Sequence, residues 1–108
     1  MALRNLPTDT AAPLASLINC KPGQVSSRSF TRVGDAAQMT LLAFAEGESV
    51  AEECYPGDTL YYLVEGETDI TLPDECILMR SGDVFCVPAG IEHAIAPRTA
   101  IKLLQITA

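Results

Sequence analysis

Gly82-Asp83-Val84-Phe85-Cys86-Val87-Pro88-Ala89-Gly90-Ile91-Glu92-His93 carries the chain's only histidine and spaces its key residues as G-x5-P-x-G-x2-H. Its apolar centre, Val84 to Val87, is closed by Ser81-Gly82 on one side and Pro88-Ala89-Gly90 on the other. A short apolar run between turn formers reads as a strand, and Gly82 accepts the positive φ a tight reversal asks for. The same punctuation recurs outward in both directions. Segments 50–55, 59–65, 67–72, 75–80, 84–88, 92–96 and 100–107 are separated by Pro56-Gly57-Asp58, Glu65-Gly66, Pro73-Asp74 and the turns just named. Upstream, Val25, Ser27, Phe30 and Thr31 precede Gly34-Asp35, and Met39 to Phe44 precede Glu46-Gly47. No stretch holds a helical period, so the pattern predicts an antiparallel all-β sandwich or barrel.

A second spacing lies upstream: Gly47-x5-Glu53-Cys54-Tyr55-x3-Thr59-x6-Gly66. Together the two runs resemble the paired signature motifs of the cupin superfamily, over roughly residues 39–107. The resemblance implies an antiparallel jelly-roll β-barrel, with one domain over residues 1–108. Within it, 24–107 form the barrel and the Pro-, Thr- and Ala-rich 1–23 form an N-terminal cap or edge segment. Both glycines of the first motif and all its spacings are kept, but the ligands are not. Where a metal-binding cupin has His, His and Glu, this chain has Glu53, Tyr55 and Thr59, and Pro97 stands where an Asn often closes the second motif.

Strand alternation puts Glu53 and Tyr55 on one face and Cys54 on the other, and groups Thr59, Tyr61 and Leu63 on the next strand. In cupins that face is the barrel interior, and the resemblance brings His93 to the same pocket. The candidate catalytic residues are therefore His93, Glu53 and Tyr55. Thr59, Tyr61 and Met39 are candidate pocket walls, and His93 with Glu53 a candidate site for a weakly held divalent transition metal. One imidazole, one carboxylate, two phenols and a hydroxyl among aliphatic walls have the composition of a small-molecule site. An interior Glu53 demands a partner, because an ionised carboxylate left unpaired there costs several kcal/mol.

A formal net charge of −7 argues against nucleic acid and anionic membranes as partners. No segment approaches the ~20 apolar residues of a membrane span, and the first 13 residues lack a signal-peptide core, so a cytoplasmic location is expected. Cys20, Cys54, Cys76 and Cys86 form no C-x-x-C pair. In a cytoplasmic chain they are expected to be reduced and mostly structural. The last segment, Ala100 to Thr107, is apolar on both parities. It is expected to be covered on one side by the second sheet and on the other by the partner of a homodimer. Three functions stay open at this point. One is small-molecule binding, with or without a metal. The second is a metal-independent isomerase, epimerase or lyase using His93 with Glu53 or Tyr55. The third is a non-catalytic sensor or structural barrel.

Overall fold

The computed structural model describes residues 2–108, so Met1, within the segment expected as a cap, lies outside the described residues. One turn of 3-10 helix, Leu14–Leu17, precedes strands β1 (Val25–Ser29), β2 (Gln38–Phe44), β3 (Val50–Glu53), β4 (Thr59–Glu65) and β5 (Glu67–Thr71). Strands β6 (Cys76–Arg80), β7 (Val84–Val87), β8 (His93–Pro97) and β9 (Ile101–Thr107) complete the chain. They pair, always antiparallel, into a five-stranded sheet of order β1-β2-β9-β4-β7 and a four-stranded sheet of order β3-β8-β5-β6. The two sheets form a jelly-roll barrel. β3 ends at Glu53, two residues before the expected boundary, because the chain must turn at Pro56-Gly57 and no ladder partner extends past the Glu53–His93 pair.

Two apolar clusters hold the fold. Phe44, Tyr61, Leu63, Ile70, Met79, Val87, Ile95, Ile101 and Leu103 fill the space between the sheets. Burying a side chain of that size is worth about 1.5–3 kcal/mol before the entropic cost is met. Ile18, Phe30, Leu41 and Ala43 form the second cluster, with Leu6, Leu14, Leu17, Met39, Val64 and Leu104 packed against it. This cluster lies on the outer face of the five-stranded sheet. The N-terminal segment therefore covers Lys102 and Leu104 on the outward parity of β9, part of a surface expected to be partner-facing. Polar bonds fasten it there: Lys102 Nζ donates to the Ala15 carbonyl at 2.6 Å, and Arg28 donates to the carbonyls of Asn5 and Leu17.

Gly66 shows why the β4–β5 reversal is closed to other residues. Its φ is +99°, and a Cβ there would stand 2.8 Å from Ile101 Cγ2 and closer still to the Ala100 carbonyl oxygen. Ser81 clasps the same glycine, receiving its N–H at 2.9 Å and donating to its carbonyl at 3.2 Å.

Candidate functional site

Registry along the five-stranded sheet sorts the barrel interior into layers. Gln38 pairs with Thr107, which pairs with Thr59; Thr40 pairs with Gln105, which pairs with Tyr61. The next rung is Leu42, Leu103 and Leu63, and the last is Phe44 with Ile101. Every inward polar residue of these three strands thus falls at one end and every inward aliphatic at the other. The β3–β8 pair adds Glu53 and His93, directly opposite one another, to the polar end.

There the two sheets meet through a buried hydrogen bond. Tyr61, fully buried, places its hydroxyl 2.6 Å from Nε2 of His93, which is 2 % exposed, and the two rings stand nearly edge to face. Nδ1 of His93 lies 3.0 Å from the Ile91 carbonyl, which can only accept. In the neutral imidazole the proton therefore sits on Nδ1, Nε2 presents a lone pair, and the Tyr61 hydroxyl donates to it. Burial, and then the charges possible on Tyr55 and Glu53, hold the Tyr61 phenol well above the usual tyrosine range.

Tyr55 forms the second pair. It follows β3 and donates its hydroxyl to Oε2 of Glu53 in a short hydrogen bond. Burial and that bond push its phenol up to about 12, while the Gln105 side chain pulls in the opposite direction. With the phenol proton committed to Glu53, Gln105 must offer an N–H to the phenol oxygen. The Tyr55 ring also lies 6.0 Å from that of His93, which brings the two pairs into one cluster.

A cavity of about 490 Å³ opens at this polar end, walled by Gln38, Tyr55, Pro56, Gly57, Gln105 and Thr107. Of the residues expected in the site, Tyr55 is the one that reaches the cavity wall. Thr59 is buried beneath it, bonded to Thr107 hydroxyl to hydroxyl at 3.1 Å, and Tyr61 and His93 lie deeper. Met39 is a correction. As an odd-numbered residue of β2 it points to the outer face and packs with the Ile18–Phe30 cluster, whereas the interior takes Gln38 and Thr40.

A transition-metal centre does not fit these residues. Nε2 of His93 already accepts from Tyr61 and Nδ1 is engaged with a backbone carbonyl, so the imidazole has no lone pair to offer without breaking a buried bond. Glu53 is engaged by Tyr55. Among the described residues, no group of three or more His, Cys, Asp or Glu is arranged to hold a metal ion.

Residues 40–106 match the family described as the cupin domain. The chain belongs to the cupin family. A cupin superfamily protein from Desulfitobacterium hafniense is 47 % identical, covers 99 % of this chain and 97 % of its own, and superposes with a TM-score of 0.95. A conserved protein of unknown function from Streptococcus pyogenes shares the fold at 22 % identity and a TM-score of 0.94, over 100 % of this cupin and 94 % of its own chain. A cupin 2 conserved barrel domain protein from Leptotrichia buccalis, 26 % identical with a TM-score of 0.82, matches 88 % of this chain and 46 % of its own. Comparison with functionally curated proteins finds no match. Many cupins bind transition metals; this cupin keeps the barrel with phenol–carboxylate and phenol–imidazole pairs near the ligand positions.

Gln38, Gln105 and Thr107 escaped the sequence reading, and a signal for them existed. On β9 the inward parity runs Ile101, Leu103, Gln105, Thr107, so polarity switches on halfway along one face. A polar residue on the core parity of an otherwise apolar strand marks a lined opening.

Proposed function

We propose that this cupin binds a small organic molecule at the polar mouth of its barrel, in contact with Tyr55 and Gln105. The observation that carries this reading is the coincidence of the cavity of about 490 Å³ with the polar end of the strand interior. Its size and its few converging polar groups suit a ligand site. Glu53 holds the Tyr55 hydroxyl in place, and the Tyr61–His93 bond supports the floor. Small-molecule screening by shift in melting temperature, repeated with Tyr55→Phe and Gln105→Ala, tests it. Stabilising compounds that both substitutions weaken support the reading, and compounds indifferent to both retire it.

A second reading is metal-independent acid–base catalysis, favoured by the Glu53–Tyr55 hydrogen bond at the cavity wall. A carboxylate bonded to a phenol can take its proton while the phenol serves a substrate. His93 would then position the phenols through Tyr61 rather than act as the base. Turnover of a bound compound that survives chelation and is abolished by Glu53→Gln, with binding kept, separates this reading from binding alone.

The reading also includes a homodimer through the outer face of the five-stranded sheet, where the cross-strand neighbours Tyr62 and Val84 are 38 % and 60 % exposed. Sedimentation of wild type against Val84→Lys checks that surface.

A further inference from the structure

We infer that the mouth selects an uncharged ligand, a carboxamide or alcohol on a small apolar body, and rejects carboxylates. This rests on the mouth being the binding site. Among the described residues, no Lys, Arg or His lines the cavity. Arg4 gives its Nε proton to the Thr31 carbonyl at 3.1 Å, and three other cations are held elsewhere. Arg28 and Lys102 fasten the N-terminal segment to the far face of the sheet, and Arg98 pairs with Asp69 at 2.8 Å on the four-stranded sheet. Glu53, directly behind the Tyr55 hydroxyl, is a negative charge beside the mouth, and Ala108, the last residue of the sequence, also lines it and brings its carboxylate there.

The donors near the wall are mostly spent. Gln38 gives its Nε2 protons to the carbonyls of Arg32 and Asp35, at 2.9 and 3.0 Å, and keeps a carbonyl oxygen that takes only the Thr31 hydroxyl at 3.2 Å. Tyr55 gives its proton to Glu53. The side-chain groups that face a ligand are the carbonyl oxygens of Gln38 and Gln105, the Thr107 hydroxyl and the remaining N–H of Gln105, all of them uncharged. An amide or alcohol, which both donates and accepts, satisfies such a wall. A carboxylate only accepts, would sit beside Glu53 with no cation to balance it, and loses its hydration on entry.

The test titrates the 15N-labelled full chain at neutral pH with matched pairs: benzamide and benzoate, cyclohexanecarboxamide and its carboxylate, isobutyramide and isobutyrate. The amides are expected to move the side-chain NH2 signals of Gln38 and Gln105. Each carboxylate should bind at least about tenfold more weakly, the factor that corresponds to one uncompensated polar group. Glu53→Gln should narrow that gap. A carboxylate that moves the same signals with equal or better affinity overturns the charge selection and leaves the mouth as a site. A panel that moves neither glutamine overturns the site, and the inference with it. A gap untouched by Glu53→Gln overturns Glu53 as its electrostatic cause.

Discussion

The Tyr61 hydroxyl stands 2.6 Å from Nε2 of His93 across the barrel interior, and this bond joins β4 of one sheet to β8 of the other. Both side chains are almost fully buried, and His93 touches the wall of a second cavity of about 270 Å³ with Glu52, Thr71, Leu72, Pro73 and Glu92. The bond also explains how a polar imidazole is tolerated in the interior: each ring nitrogen has one partner, and no buried side-chain nitrogen or oxygen among the described residues is left without one.

Tyr61→Phe keeps the ring and deletes the donor, leaving a buried lone pair on Nε2. The expected cost is about 1–3 kcal/mol, the desolvation penalty of an orphaned polar group. Urea denaturation of Tyr61→Phe, His93→Ala and the double variant measures it. A coupling energy indistinguishable from zero would mean the bond contributes nothing to stability.

Stability should fall as pH rises above 10. In the unfolded chain both phenols ionise near 10. In the folded chain Tyr55 does so at about 12, and Tyr61 is also shifted upward. Across the window from 10 to about 12 the folded state keeps protons the unfolded state has lost, so the contribution is complete below pH 10 and disappears as pH climbs through the folded values. Urea midpoints from pH 9 to 12 check this, and the slope should flatten in Tyr55→Phe.

The Tyr55 phenol responds in opposite directions to its two neighbours. Glu53→Gln removes a carboxylate that raises its pKa, so the phenolate should form at lower pH; Gln105→Leu removes the donor that stabilises the phenolate, so it should form at higher pH. Absorbance near 295 nm follows both titrations. Shifts of the same sign would contradict the arrangement of the pair.

Chelation should leave the melting temperature unchanged, and added zinc, manganese or iron should not raise it. The His93 and Glu53 donors are already committed to tyrosines. A metal-dependent rise of several degrees, as binding energy of 1 kcal/mol or more produces in a chain of about this size, would show that the tyrosines give way.

Gly66→Ala should destabilise by at least about 1–3 kcal/mol, the cost of forcing a side chain into a sparsely populated backbone region. The Ala100 carbonyl and Ile101 add steric pressure, and backbone on that side cannot retreat. Gly82→Ala has a similar φ of +93° but open space around it, so it should cost less. Thermal melts of the two variants measure the difference.

Much of the barrel is legible in the order of residues. Turn formers at Pro56-Gly57-Asp58, Glu65-Gly66, Pro73-Asp74 and Ser81-Gly82 delimit strands that the structure places within one or two residues of expectation, because a reversal needs those conformers whatever lies across from it. The proximity of Glu53, Tyr55 and His93 was implied by the resemblance to the cupin motifs and not by the local pattern of residues. Met39 was misplaced because parity says which residues share a face and not which face turns inward. β2 is apolar on both parities, and the choice between Met39-Leu41-Ala43 and Leu42-Phe44 was made by what packed against each.

Sequence alone determined the strand boundaries, the antiparallel class and the absence of the usual ligand set, since each is a property of local conformation or of residue identity. Tertiary structure decided the rest. It set which partner each polar side chain took, placed the Ile91 carbonyl against Nδ1 of His93, and covered the part of the outer sheet face around Leu41, Ala43 and Leu104 with the chain's own N-terminal segment. Register brought Gln38, Gln105 and Thr107 together at the ends of two strands, and the packing of the other sheet set Tyr55 beside them at one mouth. Hydrogen-bond partners far apart in the chain are chosen by the way two sheets pack, and no local pattern of residues encodes that distance.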